Sequence, residues 1–168
     1  MDLLFRKGVN RLHNQEKEIN RYFEQMARSY FIDENKELAS LDSPVSIGYG
    51  QTISQPTLVL KMTLELDISP ESRVLEIGTG SGFQTALLAT FSDTVYTIER
   101  IKALHDRAKE KLQKAEFTNI HFKRGNGSRG WRENAPFDRI MVTAAAPEVP
   151  EQLLEQLKNG PDSVTEII

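Results

Sequence analysis

The amino-acid sequence predicts an α/β fold: a parallel β-sheet with helices on both faces, preceded by a helical extension at the N-terminus. The first observation is an apolar strand at 73–77 that leads through alternating glycines into an apolar helix. The second is a series of later strand-like segments, at 94–98, 120–123 and 136–147, with a helical pattern between the first two. The third is the spacing of apolar residues by three and four within the first 32 positions: Ile19, Tyr22, Phe23, Met26 and Tyr30.

The glycine turn after the first strand carries the strongest local signal. Glycine is required where the backbone takes a positive φ and where a ligand approaches it closely. A dinucleotide fingerprint would place a further glycine where Phe83 stands. A carboxylate such as Glu76, two residues before the first glycine, is a poor neighbour for a pyrophosphate and a good one for an ammonium group. The acid-x-Gly-x-Gly-x-Gly pattern resembles the first motif of the class I S-adenosylmethionine-dependent methyltransferases, and a plain tight turn is the alternative.

Composition sets the limits within which this fold must act. The chain has 168 residues, 39% hydrophobic and 27% charged residues and a net charge of −3, which fit one globular domain without a nucleic-acid-binding surface. Without cysteine it forms no disulfide or thiolate metal site, and His121 lacks partners at metal-ligand spacing, so no metal is expected. No apolar run reaches membrane-spanning length and no signal-peptide core is present, so we expect a cytoplasmic protein without a membrane contact.

A polar, turn-rich stretch at 33–46 reads as a connecting loop, and a second motif follows it. The motif runs from Ile47 to Pro56 as Ile-Gly-Tyr-Gly-Gln-Thr-Ile-Ser-Gln-Pro. Ser54 can cap the next helix, with Pro56 in its first turn, but capping does not explain the residues before it. The motif resembles the signature of the protein-L-isoaspartate O-methyltransferases, repair enzymes for isomerised aspartyl residues. It lies at the expected distance before the glycine turn.

The second and third predicted strands each end at a candidate binding residue. Glu99 closes the second strand about 20 residues after the glycine turn, where an acid can bond both ribose hydroxyls, although a surface glutamate is the alternative. The third strand leads into Gly125-Asn-Gly127, where the family usually has an aspartate that receives the adenine amino group. Asn126 stands there instead, and its amide oxygen can still accept that hydrogen bond, so we expect weaker binding. An ordinary glycine-rich turn, in which asparagine tolerates a left-handed backbone, is the alternative.

The fourth predicted strand and its exit loop, 136–147, again resemble the family. They place Thr143 and Ala144 at the mouth of the site, because ligands of open α/β sheets bind beyond the carboxyl ends of the strands. A helix follows, and after about Gly160 the resemblance ends. We therefore expect a family member truncated there, with C-terminal strands missing, at most a short strand at 164–168, and a fourth strand at or near a sheet edge with little to pair with.

The resemblance implies three segments and one reaction. Residues 1–45 would form the helical extension and loop, 46–160 the S-adenosylmethionine-binding methyltransferase domain, and 161–168 an atypical tail. A methyl group would pass from S-adenosylmethionine to the α-carboxylate of an L-isoaspartyl residue, and the ester would collapse to a succinimide. Ser54 would orient the substrate carboxylate. Thr52 and Ile53 would form one wall of the substrate pocket, with Thr143 and Ala144 opposite. The expected cofactor-binding residues are Glu76, Gly78, Thr79, Gly80, Ser81, Gly82, Glu99, Asn126 and Gly127.

Two other functions stay open at this point. A class I methyltransferase acting on a small molecule would share the glycine turn, although the Gly-Gln-Thr-Ile-Ser segment argues against it. A non-catalytic, cofactor-binding remnant would account for the shortened C-terminal part and for Asn126. The expected partners are proteins and peptides that contain isoaspartyl residues, and not nucleic acid. We expect a monomer, with a swapped dimer as the alternative.

Overall fold

The computed structural model describes residues 2–143, 150–158 and 164–166, with side chains from residue 14 to residue 158 within those ranges. Its helices are α1 (Asp2–Gln25), α2 (Pro56–Glu65), α3 (Phe83–Phe91), α4 (Lys102–Lys114) and α5 (Glu151–Leu154). Its strands are β1 (Val45–Gly48), β2 (Gln51–Ile53), β3 (Arg73–Ile77), β4 (Thr94–Glu99), β5 (Ile120–Arg124), β6 (Arg139–Val142) and β7 (Val164–Glu166).

Strands β3 to β7 form one five-stranded parallel sheet in the order β5-β4-β3-β6-β7. The chain moves from β3 outward to β5 and then returns to β6 on the other side of β3. This reversal makes the carboxyl ends of β3 and β6 a topological switch point, where α/β sheets have a crevice for ligands. The four strands predicted from the sequence are therefore confirmed.

The sheet is covered on both faces, which confirms the predicted α/β class. One face packs against α1 to α4 through two clusters of buried side chains that include Ile19, Val59, Leu87 and Leu104. The other face packs against α5, where Leu75, Ile98 and Ile140 meet Leu153. Because alternate residues of a strand point to opposite faces, neighbouring residues of β3 serve different clusters.

The N-terminal extension differs from the prediction in its detail. Helix α1 ends at Gln25, and a short 3-10 helix covers Arg28–Phe31. Ile19 belongs to the core, whereas Tyr30 is 41% exposed and its hydroxyl donates to the backbone carbonyl of Lys111. The predicted apolar stripe is thus wrong at Tyr30, because the helix that would have placed it inward has already ended.

The Gly-rich motif folds as a β-hairpin. Strands β1 and β2 pair antiparallel, with Val45 opposite Ile53, and the turn between them has positive φ at Gly48, Tyr49 and Gly50. The predicted loop at 33–46 is wrong at its end, since β1 begins at Val45, and a 3-10 helix also lies within it, at Lys36–Ser40. The side chains of Ile47 and Ile53 are buried in the core, so the hairpin packs against the rest of the fold and does not project into solvent.

The predicted N-cap at Ser54 is wrong. Helix α2 takes Gln55 as its N-cap residue, with Pro56 at the first helical position as expected. The exposed amide of Thr57 donates instead to the Asp42 carboxylate at 2.9 Å, and the Thr57 hydroxyl donates to the same carboxylate at 2.8 Å. The helix is thus capped by Asp42, 15 positions before Thr57, and the Ser54 side chain does not cap it.

The C-terminal part supplies one strand beyond β6. Residues 164–166 of β7 pair in parallel with Ile140–Val142 of β6, which confirms a short strand there. The expectation that the fourth strand has little to pair with is wrong, because β6 has β3 on one side and β7 on the other. Among the described residues, β7 is the last strand on that side of the sheet. The helix predicted after the fourth strand is confirmed as α5, but it begins at Glu151 and already ends at Leu154, while Gly160 lies outside the described residues. Among the described residues, no helix combines the length and the apolar character needed to cross a bilayer. The division of the chain at 45 and 160 stays a prediction.

Candidate active site

A cavity of about 340 Å³ lies at the carboxyl ends of β3, β4 and β6, between the glycine turn and the β1–β2 hairpin. Its volume is within the range of small-molecule sites. Most of the residues expected from the sequence to form a site are on its wall: Thr52, Ile53, Ser54, Gly78, Thr79, Gly80, Ser81, Glu99, Asn126, Gly127 and Thr143. Glu76 and Gly82 are not on this wall, and Ala144 lies outside the described residues.

The glycine turn follows β3 with positive φ at all three glycines, 102° at Gly78, 53° at Gly80 and 86° at Gly82. Side chains resist these angles, so the turn depends on glycine. At Gly82 a second constraint applies, because a Cβ atom there would lie 3.0 Å from Leu112 Cδ1 of α4. Gly82 therefore lets α3 and α4 pack together, whereas Gly78 and Gly80 open the backbone to the cavity.

Glu99 closes β4, and its carboxylate is tied to the glycine turn. One oxygen accepts a hydrogen bond from the Gly80 amide and the other from the Ile101 amide, each at 2.9 Å. The side chain is only 6% exposed yet lies on the cavity wall. Each carboxylate oxygen has a further lone pair, so Glu99 can accept hydroxyl donors from a ligand while it holds the turn.

Glu76 lies beneath the turn rather than in the cavity. It is fully buried, and one oxygen accepts hydrogen bonds from the hydroxyls of Thr85 and Thr97, at 2.6 and 2.7 Å. Its other oxygen has no hydrogen-bond partner among the described residues. Burial raises the pKa of Glu76 to about 7 from 4.5; the two hydroxyl bonds oppose the rise and the charge of Glu99 adds to it. Direct contact with a cofactor therefore stays a prediction, and the geometry favours support of the turn from below.

The turn after β5 forms another part of the wall. The Asn126 side-chain oxygen accepts from the Ser128 amide at 3.0 Å and so caps the 3-10 helix Gly127–Arg129. This bond uses one of the two lone pairs on that oxygen and leaves the other toward solvent or a ligand. At Gly127 a methyl group would overlap the Ile77 side chain of the cavity floor, so the backbone sits directly against β3.

Thr143 and the apolar residues near it form the side opposite the hairpin. The Thr143 hydroxyl donates toward the carbonyls of Ile77 and Gly78, at 2.9 and 2.6 Å, so the β6 exit is joined to the start of the glycine turn. Val142 and Leu153 line the same side and are almost fully buried. This wall is apolar and can hold a flat or aliphatic group against the sheet edge.

Ser54 reaches the cavity from the opposite side, at the end of β2. Its backbone carbonyl accepts from the Arg28 guanidinium at 3.0 Å, while its hydroxyl has no hydrogen-bond partner among the described residues. The hydroxyl is therefore free to donate to a ligand that enters between the hairpin and the glycine turn. Thr52 and Ile53 come from the same strand, Thr52 exposed and Ile53 buried.

Sequence reasoning missed two residues that bear on the site. Gln84 lines the cavity from the first turn of α3; its amide donates to the Thr63 hydroxyl at 2.8 Å, and its oxygen is buried without a partner among the described residues. A glutamine after a glycine turn is a signal that could have been noticed. Arg28 carries no local signal, because its five hydrogen-bond partners are 11 to 26 residues away.

Comparisons with known proteins agree on one family. The profile of the protein-L-isoaspartate(D-aspartate) O-methyltransferases (PCMT) matches residues 2–167. The protein-L-isoaspartate O-methyltransferase of Vibrio atlanticus is 51% identical over 136 residues, 80% of this chain and 65% of that protein. The enzyme of the same name from Myxococcus xanthus is 50% identical over 137 residues, 81% of this chain and 65% of its own length.

Solved structures give the same result. A protein-L-isoaspartate O-methyltransferase superposes with a TM-score of 0.75 at 27% identity, over 89% of this chain and 52% of that one. A Plasmodium falciparum protein assigned to the same enzyme family, solved in complex with S-adenosyl-L-homocysteine, superposes with a TM-score of 0.67 at 29% identity, over 79% of this chain and 68% of that one. The chain spans about 65% of the length of the first two relatives. Because the family profile matches almost the whole length of this chain, the chain belongs to the protein-L-isoaspartate (D-aspartate) O-methyltransferase family.

Proposed function

We propose that the chain binds S-adenosylmethionine and transfers its methyl group to the α-carboxylate of L-isoaspartyl residues in proteins and peptides. The observation that carries this is the juxtaposition, in one cavity, of the Ser54 residue at the end of β2 with the glycine turn and Glu99. The Ser54 hydroxyl suits a carboxylate substrate, whereas the glycine turn and Glu99 suit a nucleoside with a charged tail. A relative solved with S-adenosyl-L-homocysteine supports the same cofactor here.

The residues of the cavity fit this cofactor. Glu99 offers acceptors for ribose hydroxyls, and Asn126 offers one for an adenine amino group. The bare backbone at Gly78 and Gly80 admits the aliphatic tail, since no Cβ lies between it and β3. Apolar side chains at Ile98, Val142 and Leu153 can enclose the base and exclude water. When bound, the cofactor supplies a methyl group on a sulfonium, a leaving group that needs no acid.

The chain's own contribution is then positioning. A carboxylate is already a nucleophile, so no general base is required; its oxygen forms the new bond to the methyl carbon while the carbon–sulfur bond breaks and its electron pair stays on sulfur. The Ser54 hydroxyl donates to the other carboxylate oxygen and so fixes the approach of the reacting one. Thr52 and Ile53 cover the site from the hairpin side. Alignment of this kind accounts for most of the rate in a reaction that needs little acid–base help.

Two measurements test the proposal. Calorimetric titration with S-adenosyl-L-homocysteine should show binding in the micromolar range or tighter by a monodisperse sample. An isoaspartyl-peptide methylation assay should then show turnover that falls about 100-fold in Ser54→Ala, since misplaced reactants lose this much. Binding without turnover of any isoaspartyl peptide would reject the enzymatic function and favour a cofactor-binding remnant. A cytoplasmic location and a monomeric state stay predictions.

A further inference from the structure

Arg28 is a buried cation that the proposed reaction does not use. It sits in the 3-10 helix Arg28–Phe31, is 5% exposed, and is not on the cavity wall. Burying a guanidinium is costly unless its donors are satisfied. Both terminal nitrogens of Arg28 have partners, whereas Nε has none among the described residues. Its partners identify what it holds.

The guanidinium donates to five backbone carbonyls and to no side chain among the described residues. Nη1 donates to Ala39 and Leu41, at 3.2 and 3.0 Å. Nη2 donates to Ser43 at 2.8 Å, to Ile53 at 3.4 Å and to Ser54 at 3.0 Å. One planar group thus joins the loop before the hairpin to Ile53, the last residue of β2, and to Ser54 directly after it. A lysine ammonium, with three donors on a single atom, cannot span both sets.

A second tie leaves the same loop. Asp42 lies between Leu41 and Ser43, and its carboxylate accepts both the amide and the hydroxyl of Thr57. The backbone is therefore fixed on both sides of the Ser54 side chain. Arg28 donates to the Ser54 carbonyl, and Asp42 accepts a hydrogen bond from the Thr57 amide three residues later. Neither tie uses the Ser54 hydroxyl, which stays available at the cavity.

We propose that Arg28 is a positioning residue for Ser54, holding the end of β2 so that the serine hydroxyl and the Thr52–Ile53 wall face the bound substrate carboxylate. This deepens the methyltransferase function proposed above and rests on it. Arg28 touches neither substrate nor cofactor. Substitution of Arg28 should therefore lower kcat in the native chain, and should have little effect on kcat when Ser54 is replaced by a residue without a hydroxyl.

The test compares Arg28→Lys and Arg28→Ala with Arg139→Ala as the matched control. Arg139 also donates to a backbone carbonyl, that of Leu66 at 2.7 Å, but at the amino end of β6, away from the cavity. We expect kcat for an isoaspartyl peptide to fall about 10- to 100-fold in both Arg28 variants, as for a misplaced catalytic group. Affinity for S-adenosyl-L-homocysteine should change less than about threefold, and Arg139→Ala should lose stability with kcat kept.

The decisive comparison is made in the Ser54→Ala background. There, Arg28→Lys should lower kcat by less than about twofold, because the two residues act as one unit. A full additional loss in that background, an unaltered kcat in Arg28→Lys, or the same loss in Arg139→Ala would each overturn the proposal and leave Arg28 a structural residue.

A readout without turnover separates this inference from the proposed function. Amide hydrogen exchange at 51–57 should accelerate at least about tenfold in Arg28→Lys while the central strands β3 and β4 keep their protection, as for a local opening. If the native chain methylates no isoaspartyl peptide, the reaction fails but this exchange result still decides whether Arg28 holds the segment. Unaltered exchange at 51–57 would overturn the inference in either case.

Discussion

The Glu99 carboxylate accepts a hydrogen bond from the Gly80 amide, with 2.9 Å between Oε2 and the nitrogen. The end of β4 is therefore hydrogen-bonded to the glycine turn after β3. Neighbouring strands of a parallel sheet bring their carboxyl ends to the same edge, and here that geometry places an acid against the turn it serves. The consequence is that one side chain both shapes the turn and presents acceptors to the cavity. Glu99 should therefore be more sensitive to substitution than a residue with either task alone.

The substitution Glu99→Gln tests this double role. One oxygen becomes an amide nitrogen, which cannot accept from the Gly80 or Ile101 amide or from a hydroxyl of the ligand. Hydrogen bonds to charged groups contribute about 1.5–3 kcal/mol, so affinity for S-adenosyl-L-homocysteine should fall roughly 10- to 100-fold in calorimetric titration. Glu24→Gln on α1 removes the same charge from an exposed site and should bind normally. Equal affinity in Glu99→Gln and the native chain would contradict the role.

Glu76 should make the stability of the fold fall as pH rises. Its pKa is raised by burial from 4.5 to about 7, so the folded state holds a proton that the unfolded state has released between those values. The stability it contributes is complete below pH 4.5 and is lost progressively as pH rises to about 7. The shift corresponds to about 3 kcal/mol of unfolding free energy.

Glu76→Gln removes this titration while keeping an acceptor for Thr85 and Thr97. As pH rises from 5 to 8, the unfolding free energy of the variant minus that of the native chain should increase by up to about 3 kcal/mol, because only the native chain loses stability. Denaturant unfolding at intervals across that range measures the difference, with Glu24→Gln as the exposed control. Parallel pH profiles for Glu76→Gln and the native chain would show that Glu76 does not titrate in the folded state.

Much of the fold was predictable because its signals are local. The strand, glycine turn and helix at 73–89 follow from periodicity and from the conformational needs of glycine, and the structure has them where the sequence predicts. The hairpin was not predicted, because strands of four and three residues interrupted by glycines are too short to show alternation. The sequence there resembles a family signature, which indicates function but not shape.

The parts of the site that could not be predicted depend on contacts distant in sequence. Asp42 caps α2 from 15 residues upstream, whereas the local sequence favours Ser54, which stands just before the helix. Arg28 collects carbonyls that only the folded loop brings together. The position of Glu76 before the turn predicts a contact with the cofactor, which stays a prediction, but it does not reveal that Thr97 from the next strand binds the carboxylate beneath that turn. Pattern and spacing along the chain contain none of these partnerships.

Asn126→Asp should strengthen cofactor binding. A carboxylate at this position is a stronger acceptor for the Ser128 amide and keeps oxygens for an adenine amino group. The side chain is exposed, so the gain should be modest, about two- to tenfold in affinity for S-adenosyl-L-homocysteine. Asn14→Asp on α1 adds the same charge at an exposed position that is not on the cavity wall, and controls for net charge. An affinity unaltered or lowered in Asn126→Asp would show that this side chain does not face the base.

Gly127→Ala should damage the cavity floor, and Gly125→Ala in the same turn should not. A methyl group at 127 would overlap Ile77 Cγ2, whereas one at 125 meets no atom within 4 Å. Since the packed strand beneath has little room to yield, we expect Gly127→Ala to lose about 1–3 kcal/mol of unfolding free energy, as overpacked sites do. Its affinity for S-adenosyl-L-homocysteine should fall at least about tenfold, because the displaced backbone is part of the cavity wall. Titration and denaturant unfolding of both variants measure these effects, and equal behaviour of the two would mean that the turn can move away from β3 without cost.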